Sequence, residues 1–588
     1  FPYDWRYGVS GIVDTNTGKT TADLLKEKID QIRTQTGSDK VDVIAHSTGG
    51  LLVKKYVMDH STDNHIGKAV FVGVPNSGAP KAIKAFIQGD NFGNPLLADS
   101  EMKKIAKNLP VAYDLSPSQQ YFNTKGSYVK IIEQPIFAHP IQDLNFDQAN
   151  SFLIDDQQLN SQALTNAHNL HTASFDNYDM RTAGVDLYAV DGCKAGTIGK
   201  IVEVRQDPAF NDPASPYYNP DPTPSYQLEY TPGDGTVPLE SSTNLPINEA
   251  NKYYALKSEH GKMLSQASIR QEIVNIVSGG SLNVDSNIIT QDIAKCKLNG
   301  KAISVFSPLD IDVVDQSGNH SGLSSDGVSI ENNIPNADFE IMGEHKFVYL
   351  PNDEGQTYTI NIKGTGAGTF TLKEDEISNN YIKQTQIFSD IPVTASLTGQ
   401  VNLDINSPTT TLSLDTNGDG TIDQTIQPTS IIKDVTSPEF SVQFNLAAKD
   451  LQFTGIDNIS TPGSIKVIDN DNLVTLIDEA GNTSQMTLKD RNRRSAMVAE
   501  IQSLVYNNQT ANLGSNTLKF SWSYDKAGQL SSLKQIVKSR SNFSISATYN
   551  GSSTQITGQD QTGKISKTLT GLVLLKVFTK MGDLSWSY

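Results

Sequence analysis

The sequence predicts an α/β fold, a parallel sheet with flanking helices and a cap insertion, followed by all-β sandwich-type domains. Two patterns and one ordering predict it. Amphipathic helices alternate with continuous apolar runs through the first 280 residues, as crossover-connected parallel strands require. From about Gly279, Ser, Thr, Asn, Asp and Gly dominate, and short alternating runs replace helices. A serine, an aspartate and a histidine fall in that chain order at turns and loops of the α/β pattern.

The chain has 588 residues, too many for one core. Four domains are expected: 1–280 α/β; 281–432 β-rich; 433–490 β with an immunoglobulin-like pattern; and 495–588 β-rich, after a charged linker at Asp490–Arg494. A formal charge of −18 opposes nucleic-acid binding through a broad basic surface. No apolar run approaches the roughly 18 residues that span a bilayer, and Leu572–Phe578 is broken by Lys576. The two cysteines, Cys193 and Cys296, make neither a disulfide framework nor a metal cluster, and they can pair if the chain is exported. Phe1-Pro-Tyr-Asp-Trp-Arg6 reads as the end of a sheet strand, so an upstream segment is expected.

Ala22–Thr34 is an amphipathic helix with Leu24, Leu25, Ile29 and Ile32 inward. Val41-Asp-Val-Ile-Ala-His-Ser-Thr-Gly-Gly50 follows as a buried strand, a sharp turn and a helix start, with Ser47 at the tip. A serine hydroxyl is a poor nucleophile at neutral pH; it needs exposure at a strained turn, a base, and amide donors for an oxyanion. The Gly-x-Ser-x-Gly elbow supplies the first, here with Ala45 in place of the first glycine. The Thr48 amide, at a helix N-terminus, is the expected oxyanion donor. A strand leading into a glycine-softened helix explains the same residues without chemistry. Leu51, Leu52, Val53, Tyr56 and Val57 continue the helix, and Ala69–Val74 is the next buried strand. The stretch from about 86 to 180 shows short helical patches without strand alternation, and is expected to be a cap over the site. Within it His168 and His171 read as solvated histidines rather than metal ligands.

Val185–Val190 is the next strand, closed by Asp191-Gly192; a Pro- and Tyr-rich loop spans Asp207–Tyr226. In Gly233-Asp-Gly-Thr-Val-Pro238, flanking turns can aim the Asp234 carboxylate at a histidine. Tyr253–Leu256 is a last strand, and His260 follows it on a loop before a helix over Met263–Val277. The chain order Ser47, Asp234, His260 is that of the α/β-hydrolase fold. Asp191 is a weaker candidate acid, and His46 diverges from its neighbour too far to be the base.

Six segments, Phe1–Arg6, Ala45–Gly50, Gly73–Gly78, Leu109–Leu115, Gly233–Pro238 and Glu259–Gly261, together resemble the successive motifs of the lecithin:cholesterol acyltransferase family of lipases and acyltransferases. The resemblance covers about residues 1–280. It implies Ser47 as nucleophile, Asp234 as acid and His260 as base. It also implies a second oxyanion donor from a loop upstream of Phe1.

In the β-rich half, Ala302–Phe306, Phe347–Leu350, Thr357–Ile362 and Thr369–Leu372 read as strands of antiparallel sandwiches. His320 and His345 read as ordinary surface residues. Asp415-Thr-Asn-Gly-Asp-Gly-Thr-Ile-Asp423 offers oxygens at Asp415, Asn417, Asp419 and Asp423, a loop able to wrap a structural calcium; a polar turn without metal is the less favoured reading. Thr436–Phe444 to Val474–Thr483 resembles bacterial immunoglobulin-like modules. Phe520-Ser-Trp-Ser-Tyr524 recurs as Leu584–Tyr588. These observations lead to an extracellular or cell-surface enzyme that hydrolyses lipid esters or transfers their acyl groups, without a catalytic cofactor. The alternative is a non-catalytic adhesion or carbohydrate-binding protein that uses the hydrolase domain as scaffold. A peptidase on the same fold is less favoured.

Overall fold

The computed structural model describes residues 1–90, 97–134, 141–206, 223–256, 258–280, 287–306, 308–324, 330–352, 356–404 and 409–433 of one compact unit, Phe1–Lys433. Of a second unit, Asp434–Tyr588, it describes 437–445, 450–457, 464–470, 473–478, 480–487, 510–513, 516–524, 530–538, 544–550, 553–560, 563–570, 576–580 and 583–587.

Thr20 opens the first helix, Thr21–Thr36, with a reciprocal capping box to Asp23, and Gly37 closes it at φ 71° in the left-handed region. Its inward side buries Ala22, Leu25 and Ile29 against Leu52, Val53 and Tyr56 of the helix Thr48–Asp59. Both helices flank a five-stranded sheet ordered Ile289–Thr290, Lys252–Ala255, Asp186–Gly192, Ile66–Val72, Val41–His46. Its four longer strands are parallel. Ala45 lies beside Phe71, Val72 beside Val190, and Gly192 beside Ala255, so the C-terminal strand ends line up along one edge. That edge is where an open parallel sheet leaves room for a site.

Several expectations change. Phe1–Arg6 is not a strand end: Trp5–Tyr7 is a 3-10 turn, capped by the Asp4 carboxylate accepting from the Arg6 amide. The 86–180 stretch is not strandless, because Val129–Gln134 pairs in parallel with Ala195–Gln206, which pairs in turn with Ser225–Gly233. The far end of that stretch belongs to the core: Leu170, Phe175 and Met180 pack with Leu51 and Tyr56. His171 is buried rather than solvated, its ring bonded to Asp176 at 2.6 Å and to the Asp114 carbonyl at 2.7 Å. Most of the expected loop, 207–222, lies outside the described residues, and Tyr226 stands in a strand.

After Cys296 the chain forms two antiparallel sheets of six and seven strands. Every expected strand is present, the longest extension being Gly368–Ser378. Alternate residues face inward, among them Ile303, Val305, Ile311, Val313, Ile360, Ile362 and Leu372, and make a sandwich core. His320 lies between Asp312 and Glu331, and His345 packs on Phe306 at 5.3 Å, so neither is a free surface histidine. The sandwich also packs on the hydrolase part: Phe347 and Met342 share a core with Ile83, Phe86 and Ile198. Cys193 and Cys296 form a disulfide with Cα atoms 5.2 Å apart.

The second unit contains a six-stranded antiparallel meander from Thr510 to Thr570 and smaller sheets of four and three strands. Strand Glu439–Asn445 pairs with Lys576–Lys580, so one sheet runs across the boundary expected at 490–495. The linker Asp490–Arg494 lies outside the described residues. The two echoing segments are strands in different sheets. Among the described residues no helix is long and apolar enough to cross a membrane.

Candidate active site

Strand Val41–His46 ends at Ser47, whose φ is 54° and ψ −134°. A non-glycine residue there is strained, and the strain is what turns the side chain out of the sheet edge. The strand holds the turn in place through the Ser47 amide, which donates to the Val72 carbonyl at 3.0 Å. Ala45 is not among the positive-φ residues, so the elbow does not need glycine at that position. Gly50 does need its missing side chain, since a Cβ would stand 2.2 Å from Val74 Cγ2.

Asp234 follows the strand Ser225–Gly233 of a second, four-stranded sheet, and His260 follows the strand Lys252–Ala255 of the parallel sheet. Asp234 Oδ1 accepts from the amides of Thr236 at 3.0 Å and Val237 at 2.7 Å, which aims Oδ2 outward. Oδ2 lies 2.7 Å from His260 Nδ1, and His260 Nε2 lies 2.9 Å from Ser47 Oγ. A carboxylate only accepts, so Nδ1 carries the proton and Nε2 is left to accept from the serine hydroxyl. The acid is 1 % exposed and the histidine side chain 14 %. Burial works against the imidazolium, but the Asp234 carboxylate, by charge and by hydrogen bond, outweighs it and leaves His260 above its ordinary value. The three sequence-predicted residues are thus joined in one relay. Thr48 begins the nucleophile helix, so its amide has no carbonyl one turn back and stands at the positive end of the helix.

A relay of this geometry is able to activate a serine hydroxyl. Residues 1–206 match the lecithin:cholesterol acyltransferase family model. The resemblance read from the motifs holds over this segment, which contains Ser47 and ends before Asp234 and His260. Among solved structures, a chain of the Tle4-Tli4 complex aligns at 14 % identity with a TM-score of 0.29, over 42 % of this chain and 62 % of that one. This chain therefore spans less than two thirds of that relative. Bacillus licheniformis lipase BlEst2 in its propeptide form aligns at 12 % identity and TM-score 0.24, covering 96 % and 85 % of the two chains. Phospholipase PlaB from Legionella pneumophila aligns at 11 % and 0.19, covering 64 % and 80 %. A comparison with curated proteins gives no match.

Other candidates take lesser places in the lecithin:cholesterol acyltransferase-like segment and beyond it. Asp191 ends its strand beside Asp234 and makes no bond to His260; burial, with the Asp234 charge adding, pushes its carboxyl up to about 7. His46 Nε2 donates to the His260 carbonyl at 3.0 Å, bracing the base without sharing its chemistry. Gly73, at φ 55°, lets the relay pass: a Cβ there would stand 2.9 Å from Asp234 Oδ2 and 3.2 Å from His260 Nδ1. Sequence reasoning missed both roles, although His46 lies within the elbow motif and Gly73 opens Gly73–Gly78.

In the Asp415–Asp423 loop the side-chain oxygens accept from the loop's own amides. Asp415 accepts from the amides of Asn417, Gly418 and Gly420; Asn417 accepts from Asp419, Asp419 from Thr421, and Asp423 from Thr416. Its side chains are turned to the loop's own amides, and among the described residues no group of three or more His, Cys, Asp or Glu is placed to hold a metal.

Proposed function

We propose that this chain is a serine-dependent enzyme that hydrolyses lipid esters or transfers their acyl group to an alcohol. The observation carrying the reading is the continuous relay from Asp234 through His260 to Ser47, at 2.7 and 2.9 Å, with the serine on a strained elbow. Ser47 Oγ attacks the ester carbonyl carbon as His260 Nε2 takes the hydroxyl proton. Asp234 keeps the ring oriented and balances the imidazolium. The carbonyl oxygen becomes an oxyanion facing the Thr48 amide. Collapse breaks the bond to the leaving alcohol, which takes the proton from His260, and leaves acyl-Ser47. Water or an acceptor hydroxyl then attacks, giving its proton to His260, and Ser47 Oγ leaves with that proton returned.

The family match over residues 1–206 supports lipid esters over peptides as the substrate class. The disulfide Cys193–Cys296 supports an oxidising compartment, hence export. The chemistry needs no cofactor; calcium at Asp415, Asn417, Asp419 and Asp423, if bound, serves the sandwich only. A panel of acyl esters and amides, run on the full chain and on Ser47→Ala, tests the reading. Ester turnover lost in the variant supports it; ligand binding to carbohydrate that survives the substitution, with no turnover in either, replaces it with the adhesion reading.

A further inference from the structure

The β-sandwich reaches the active site through buried charge. Glu340, on strand Asp338–Met342 of the sandwich, is 4 % exposed and pairs with two lysines of the hydrolase helix Lys81–Ile87: with Lys81 at 2.6 Å and with Lys84 more closely still. Lys81 Nζ also donates to the Gly235 carbonyl at 3.3 Å, and Gly235 directly follows the acid Asp234. Burial works against a charged Glu340, but Lys81 and Lys84 outweigh it and hold its carboxyl low; its neighbour Asp338 is driven up by burial and by the Glu340 charge. A charged Glu340 is therefore the anchor available to Lys81. The same sandwich segment touches both sides of the base: Asn336 Nδ2 donates to the Leu256 carbonyl at 3.0 Å, and Lys262 Nζ reaches the Asn332 carbonyl at 3.5 Å.

We propose that the sandwich is part of the catalytic machinery: Glu340 fixes Lys81, and Lys81, by holding the Gly235 carbonyl, is the positioning residue that aims the Asp234 carboxylate at His260. The role matters because Lys81 is a side chain from another element that holds the Gly235 carbonyl of the acid's turn. Its Oδ1 is held by the Thr236 and Val237 amides, and those amides point correctly only while the Gly235 peptide keeps its orientation. The Asp234–Gly235 peptide is held at both ends, its carbonyl by the His260 amide at 2.8 Å and its N–H by Thr197 Oγ1 at 2.8 Å, whereas the next peptide has Lys81 on the Gly235 carbonyl and Asp234 Oδ1 on the Thr236 N–H, and Gly235, at φ 85°, has no Cβ to restrict it. Lys81 acts on the base as well. The charged and titratable groups facing His260 are Asp234, which favours the imidazolium, and Lys81 and His46, which oppose it.

This inference rests on the triad reading above, and its test separates the two. Glu340 also serves Lys84, so Glu340→Gln endangers the fold; Lys81→Gln leaves the Lys84–Glu340 pair in place and carries the test, with Lys81→Arg as the conservative variant. Hydrogen exchange by mass spectrometry on the full chain reads peptides covering 233–238, and a fluorophosphonate probe reads the rate of Ser47 labelling against pH. Lys81→Gln is expected to speed exchange in 233–238 by about tenfold, the worth of one charged hydrogen bond, while peptides of Ile66–Val72 stay as in the parent. The acid limb of labelling moves to higher pH, because a cation opposing the imidazolium is gone, and Lys81→Arg restores both. Exchange and acid limb identical to the parent overturn the positioning role. A parent that fails to label overturns the triad reading instead, and the exchange result still decides whether Lys81 holds the acid turn.

Discussion

At Ser47, function and stability pull against each other. Its φ of 54° costs about 1–3 kcal/mol in a side-chain-bearing residue. Ser47→Gly is therefore expected to raise the unfolding free energy by about 1 kcal/mol while abolishing turnover. Ser47→Ala abolishes turnover with no such gain, and denaturant titration of the two variants distinguishes them. At His260 the sign follows from the raised basicity. In the proposed mechanism the base works only when neutral, so activity climbs as pH rises through the folded-state value, which lies above the ordinary histidine value. The ion pair with Asp234 contributes stability that is fully present below the unfolded value and is lost as pH rises past the folded one. A pH–rate profile of kcat/KM should show its acid limb on the alkaline side of the ordinary histidine value. Asp234→Asn should lower kcat by about four orders of magnitude, because the amide favours the wrong ring tautomer.

Among the elements, the elbow and its helix were legible because they are local. Strand, turn and helix start occupy ten consecutive residues, and small residues occur where strand and helix approach. Gly50 shows the limit of tolerance: Gly50→Ala is expected to cost about 1–3 kcal/mol, measured as a lower melting temperature, because Val74 already fills the space. The chain order of Ser47, Asp234 and His260 was legible for the same reason, each residue sitting in a short motif at a strand end. What could not be read was whatever depends on contacts distant in sequence. Val129–Gln134 was missed as a strand because its partner, Ala195–Gln206, is remote and the pairing buries it without alternation. His171 was read as solvated because the Asp114 carbonyl that closes over it is 57 residues away in sequence, although its other partner, Asp176, lies only five residues on.

For the whole molecule, the sandwich after Cys296 is more than an attachment. Phe347 and Met342 complete a hydrolase core, Glu340 pairs with Lys81 and the buried Lys84, and Cys296 is bonded to Cys193. Cys296→Ser opens a loop with a sequence separation of 103 and should cost about 2–5 kcal/mol, read by denaturant titration. A fragment ending near residue 280 lacks all three supports and should aggregate, whereas 1–433 should remain soluble and react with the probe. The most direct test of the central claim is intact-mass detection of fluorophosphonate labelling on the full chain and on Ser47→Ala, both first shown folded by circular dichroism. One adduct on the parent and none on the variant is the expected result. A folded parent without an adduct, or an equal adduct on Ser47→Ala, would contradict it.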